Sequence, residues 1–277
     1  MPIVSVLWGL ALLTSIALSV LSGGTMSYGR AQNSLEPRRT SVLVEAGVNR
    51  AVAALLDPLP ERRWPADGVP QRFEFDGVAL RISVQDELGK IDLNQAEPAL
   101  LASLLQSAGL DPPAANDLAN NIVDWRTELP AKRADGAKEQ DYRAAGLSYR
   151  PRNGPFQSVD ELLLVMGMTP ALFKRIEPAL TVYSGRPLFD PQLAPREALK
   201  ALPGMTPQNV EMALASRLGQ QPAIDVSGSD RLATLRGRAF SIRAEFQHAG
   251  RPIDQQVTVR LTENPNQPYW VLNWRTK

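Results

Sequence analysis

The stretch QRFEFDGVALRISVQD, residues 71–86, alternates apolar and polar positions on both sides of a single turn signal. Phe73 and Phe75 lead into Asp76-Gly77, and Leu80, Ile82 and Val84 follow it. An Asp-Gly pair supplies the two positive-φ positions that a tight hairpin turn demands, so the stretch reads as two antiparallel strands with one apolar face. A second block of the same kind closes the chain. Phe240, Ile242, Ala244 and Phe246 alternate up to a turn at Ala249-Gly250, Val257, Val259 and Leu261 follow, and a last strand runs from Tyr269 to Trp274. The aromatics of that strand, Tyr269, Trp270 and Trp274, are expected to pack on the sheet or on its supporting helix.

Between these blocks, from about Leu88 to Leu235, the spacing turns helical. One small antiparallel sheet interrupted by a large all-α insertion follows, which is an α+β fold. Within the insertion one unit recurs: Gly109-Leu110-Asp111-Pro112, Gly167-Met168-Thr169-Pro170 and Gly204-Met205-Thr206-Pro207. The glycine can end a helix in a left-handed conformation, the Asp or Thr can cap the next helix, and proline suits its first turn. Helical hairpins turning at Gly109, Gly167 and Gly204 are expected, each preceded by a leucine-rich helix.

Upstream, residues 1–29 contain no Lys, Arg, Asp or Glu, and Ile3 to Leu21 is nearly all apolar, about the length that spans a bilayer as helix. A secretory signal peptide would need a basic first segment, which Met1-Pro2-Ile3 lacks, so a retained anchor containing Trp8, Leu12, Leu13 and Ile16 is the reading. Helical spacing continues through Val44, Val48, Ala51 and Leu55, a stripe that should hold the sheet, with Pro37 as a kink. Arg30, Arg38 and Arg39 beyond the apolar run would by themselves favour a cytoplasmic C-terminal side.

Charge and composition narrow the chemistry. Formal net charge is +1 with both signs interspersed, so a polyanion partner is not expected. There is no cysteine and a single histidine, His248, which removes thiolate and multi-histidine metal sites and leaves no nucleophile–base set for covalent catalysis. Glycine-turn helical hairpins do occur in nucleic-acid-binding proteins, which makes a hairpin-based binding module on a membrane anchor the alternative reading. Proline offers no amide to phosphate, however, and the flanks are mixed in charge. Acidic residues gather at Asp124, Glu128, Asp135, Glu139 and Asp141, which could offer oxygens to calcium, although no EF-hand spacing is present. The plain alternative is a solvated loop whose acids pair with Arg126, Lys132, Arg133 and Lys138.

Several segments resemble one family over almost the whole chain. They are Val6-Leu7-Trp8-Gly9-Leu10-Ala11-Leu12-Leu13, Asp86-Glu87-Leu88-Gly89-Lys90-Ile91-Asp92-Leu93-Asn94, and Asp124-Trp125. Downstream come Phe156-Gln157-Ser158-Val159-Asp160-Glu161-Leu162 with Gly167-Met168-Thr169, and the ending Tyr269-Trp270-Val271-Leu272-Asn273-Trp274-Arg275. Together they resemble the K-class minor pseudopilins of the type II secretion system, also called general secretion pathway protein K.

The resemblance implies a pilin-like fold: a long N-terminal transmembrane α-helix packed on a small antiparallel sheet, with an inserted helical domain. The corresponding division is an anchor at 1–29, the rest of the long helix and the first hairpin at 30–87, the inserted helical domain at 88–235 and the C-terminal strands at 236–277. It also implies a single-pass inner-membrane protein with a periplasmic C-terminal domain, no catalysis, and a place at the pseudopilus tip. The implied partners are the I- and J-class minor pseudopilins, the major pseudopilin and the inner-membrane secretion platform, with no nucleic acid. Family members begin with a short basic leader that a prepilin peptidase removes. Such a leader, which this sequence lacks before Pro2, would outweigh the three arginines after the span and restore the periplasmic orientation. The first acidic residue is Glu36, so the early helix carries no carboxylate needing a partner in lipid, which suits a subunit with nothing stacked above it. Some members bind calcium after the Asp-Trp pair, which makes Asp124, Glu128, Asp135, Glu139 and Asp141 the candidate ligands here, with Thr127 and Leu129 where carboxylates are common.

Overall fold

The computed structural model describes residues 39–217 and 235–276. The anchor positions Trp8, Leu12, Leu13 and Ile16 lie outside the described residues, and among the described residues no helix is long and apolar enough to cross a membrane.

Residues 39–55 form helix α1. Val44, Val48, Ala51 and Leu55, joined by Leu43 and Val52, are buried along its inner side. They pack on Leu80, Ile82, Val84, Phe240, Ile242, Ala244, Val257, Val259 and Leu261, the apolar face produced by strand alternation. Gly47 lets the helix approach closely, since a Cβ there would stand 3.0 Å from Cδ1 of Ile82.

Strands β1 (Gln71–Phe75) and β2 (Val78–Asp86) pair antiparallel, with Phe75 opposite Val78. The turn residues Asp76 and Gly77 have φ of 49° and 71°, the left-handed pair that a two-residue hairpin uses. A short strand β3 (Ile91–Asp92) then leads into helices α2 (Pro98–Ser107), α3 (Pro112–Arg126), α4 (Glu139–Ala144) and α5 (Pro170–Ile176). Strand β4 (Leu180–Thr181) returns to pair parallel with β3, and α6 (Arg196–Leu199) and α7 (Pro207–Arg217) follow. Strands β5 (Ala239–His248), β6 (Arg251–Leu261) and β7 (Tyr269–Thr276) complete a five-stranded antiparallel sheet of order β1-β2-β5-β6-β7. Strands β2 and β5 are therefore neighbours although the helices lie between them in sequence. The helical segment has its own core, which includes Leu101, Leu105, Leu118, Ile122, Trp125, Tyr142, Leu162 and Ile176.

The three glycine turns share one local design. Gly109, Gly167 and Gly204 have φ of 100°, 91° and 74°. The side chains of Asp111, Thr169 and Thr206 accept the amides of Ala114, Leu172 and Asn209, and a proline begins each following helix. What precedes them differs from the expected leucine-rich helix in two cases. Before Gly167 lies a 3-10 turn, Val159–Leu164, and before Gly204 the single-turn α6. Leu163 and Leu164 are exposed, so the 159–164 stretch has no continuous apolar stripe to bury, and a full α-helix gains nothing there.

The last strand also departs from expectation. Tyr269 packs inward and donates to Asn49 Oδ1 at 2.8 Å, but Trp270 and Trp274 are 55% and 40% exposed. β7 is an edge strand with one neighbour, and a register shift at Thr258/Val259 breaks its alternation, so Trp270 and Val271 both face outward.

Candidate functional site

Two polar constellations hold the seam motif 86–94 and the Asp124-Trp125 pair. The first is the seam between the sheet and the helical segment, at the end of β2. Asp86 caps a short 3-10 turn, Glu87–Gly89, by accepting the Leu88 amide at 2.8 Å, and its other oxygen is bound by Arg238. Burial pushes the Asp86 carboxyl up to about 6, outweighing the neighbouring Arg238 guanidinium. Glu87 and Lys90 form a buried ion pair at 2.6 Å, and Glu87 also accepts from Ser241 on β5 at 2.6 Å. Gly89 is obligatory here: a Cβ would meet the Leu193 carbonyl oxygen at 2.2 Å. Asp92 accepts the amides of Asn94 and Gly185, and Asn94 exchanges two hydrogen bonds with the Phe156 backbone. From the far edge, Arg275 on β7 reaches Glu177 at 2.7 Å and Asp160 at 2.5 Å. The motif 86–94 and the terminal Arg275 are thus the joints of two packed units.

The second constellation surrounds the end of α3. Trp125 stacks on Phe156 and donates to Glu161 Oε1 at 3.0 Å, while Glu161 also binds Arg152 and the Gln157 amide. Tyr142 packs on Trp125 with the rings tilted by 46° and accepts the Met166 amide at 2.8 Å, and burial pushes its phenol up to about 12. Asp124 belongs to the helix, not to a loop. Its carboxylate is 1% exposed and accepts the Arg133 amide at 3.0 Å. Burial raises its pKa, against the Arg133 amide and the charges of Lys138, Arg133 and Lys132. Gly136 packs directly on it; a Cβ there would lie 2.0 Å from Asp124 Oδ2.

The structure does not bring the five acidic candidates together. Asp141 binds Lys132 at 2.7 Å and the Lys138 amide at 2.9 Å, contacts that lower its pKa. Glu139 pairs with Arg143 at 2.8 Å and Arg150 at 3.5 Å, and Glu128 and Asp135 are exposed. Among the described residues no group of three or more His, Cys, Asp or Glu converges on a point a metal ion could occupy. By sequence Lys138 is only one of four cations pairing loosely with these acids, whereas the structure buries it at the end of α3. Lys138 is 9% exposed, and its ammonium donates to the Asp124 carbonyl at 2.6 Å, the Thr127 carbonyl at 2.6 Å and Asn153 Oδ1 at 3.0 Å. Burial lowers its pKa, against the attraction of Asp124. The only sequence hint is that Gly136-Ala137 precede it, small residues that let the stem pass inward.

The glycine turns offer little to a phosphate backbone. The amides of Gly109, Leu110, Met168 and Met205 are all consumed by carbonyls of the preceding turn. His248 sits opposite Arg251 across the β5–β6 turn.

Residues 80–185 match the family model of type II secretion system (T2SS) protein K. The chain is 27% identical over 130 residues to the type II secretion system protein K of Klebsiella pneumoniae, covering 42% of this chain and 39% of that one. It is 24% identical over 194 residues to the protein of the same name from Pseudomonas aeruginosa, covering 66% of this chain and 52% of that one. The matches thus span two fifths to about half the length of these relatives. A chain in the crystal structure of the GspK–GspI–GspJ complex from the enterotoxigenic Escherichia coli type 2 secretion system has the same fold, with a TM-score of 0.62 and 15% identity. The alignment covers 90% of this chain and 99% of that one. The matched region contains the seam motif 86–94 and the Trp125–Glu161 cluster, and over residues 80–185 the chain is similar to type II secretion system protein K.

Proposed function

We propose that this protein is a minor pseudopilin of type II secretion, placed at the pseudopilus tip, where it initiates or caps the filament that exports folded proteins across the outer membrane. The observation that carries the reading is that Asp86 to Asn94, inside the stretch that matches the protein K family model, is the joint between sheet and helical segment. The architecture is then a pilin-like unit, 30–87 with 236–277, holding a helical domain at 88–235. The apolar run at 1–29 anchors the chain in the inner membrane, with the remainder in the periplasm. The I- and J-class minor pseudopilins are the partners inferred from the fold neighbour, which was crystallised as a GspK–GspI–GspJ complex. The major pseudopilin and the inner-membrane platform are further partners of this reading. A nucleic-acid role is disfavoured by the amides already engaged at the glycine turns.

The test is genetic and biochemical together. In a bacterium carrying the chain within its own type II system, deletion is expected to abolish export, and the full chain to restore it. Detergent extracts are expected to yield the full chain together with I- and J-class pseudopilins. Undiminished export after deletion would sink the reading.

A further inference from the structure

The resemblance implies calcium beyond the Asp-Trp pair, and the geometry disagrees. Calcium requires about six to eight oxygens at roughly 2.3–2.6 Å. Here the oxygens that point to a common centre are the Asp124 and Thr127 carbonyls and Asn153 Oδ1, and a lysine ammonium already stands there. The carboxylates turn elsewhere: Asp124 to the Arg133 amide beneath Gly136, Asp141 to Lys132, and Glu139 to Arg143 and Arg150.

We propose that Lys138 is the resident cation of this loop, doing permanently what a divalent ion would do, so that the end of α3 and the loop up to α4 are ordered without calcium. The physical case rests on position. The carbonyls at a helix C-terminus carry the negative end of the helix dipole and lack intrahelical donors, so a cation there is favoured. An ammonium has three N–H donors, and Lys138 directs them at three oxygens, so all are satisfied although the group is buried. One oxygen comes from α3, one from the residue that caps it, and one from Asn153. Asn153 in turn donates its amide to the Trp125 carbonyl at 2.9 Å, so the lysine fastens the Asp-Trp pair to the 150s stretch. The Lys138 amide also caps against Asp141 at 2.9 Å, which sets the start of α4 from the same residue.

The test uses the full chain in detergent, with tryptic cleavage after Lys132 and Arg133 and the thermal midpoint as readouts, in EDTA and in millimolar CaCl2. The wild-type protein is expected to give the same cleavage rate and midpoint in both. Lys138→Met is expected to be cut about tenfold faster or more in EDTA, because local opening of the loop becomes easier. Calcium-dependent protection of the wild-type chain would overturn the proposal, as would Lys138→Met cleaved at the wild-type rate. If Lys138→Met fails to fold, the calcium titration of the wild-type midpoint decides alone: no shift upholds the lysine, and a rise replaces it with the metal.

Discussion

Asp86 is a residue whose environment inverts its usual behaviour. Its folded-state pKa, about 6, lies above the ordinary 3.8, so the folded chain holds this proton more tightly than the unfolded chain. Its contribution to stability is therefore present below about pH 4 and is lost as pH rises to 6. At ~1.4 kcal/mol per unit, the full swing is on the order of 3 kcal/mol. Denaturant unfolding between pH 4 and 6 is expected to show wild-type stability falling with pH more steeply than that of Asp86→Asn. Parallel slopes would remove Asp86 as the cause. The neighbouring Glu87–Lys90 pair shows why composition alone is silent here. Both charges are buried, and each is tolerable only because the other and the Ser241 hydroxyl meet it. Glu87→Ala leaves the ammonium unpaired and is expected to cost about 3–5 kcal/mol of unfolding free energy. A loss below 1 kcal/mol would mean that the pair is open to water.

At the scale of elements, the β-hairpin and the three glycine turns were legible because their determinants are local. Asp76-Gly77 supplies two positive-φ residues, and each Gly-X-Asp/Thr-Pro unit supplies the stop, the cap and the start within four positions. Replacing the cap with alanine removes one amide acceptor, so Thr169→Ala and Thr206→Ala are each expected to lower stability by about 1 kcal/mol in chemical denaturation. No change in either would mean that water replaces the hydroxyl without cost. What precedes the turns was not legible. Leucines at 162–164 suggest a helix, yet Leu162 is buried while Leu163 and Leu164 are exposed, so no apolar stripe favours a full α-helix and the stretch is a 3-10 turn. In the same way, alternation in 269–274 suggested packed tryptophans, and the bulge at Thr258/Val259 on an edge strand undid it.

In the whole molecule two cores are joined by side chains distant in sequence. One core lies under α1, the other within the helical segment. Arg275 connects them across the far edge, through Glu177 and Asp160. Arg275→Ala is expected to leave each core intact but to cost about 1–3 kcal/mol, read as faster hydrogen exchange of the amides near Asp160 and Glu177. Unchanged exchange there would show that the seam is carried by the β2 end alone. The sequence by itself determined the α+β class, the helix stripe, the hairpin turn and the caps, since strand and helix periods and capping chemistry act over a few residues. Only the tertiary structure decided that Asp141 meets Lys132, that Glu139 meets Arg143, and that the Lys138 ammonium meets the Asp124 and Thr127 carbonyls. It alone also showed that Asp86 meets Arg238, because those partners are brought together across a fold in which residues 152 positions apart touch.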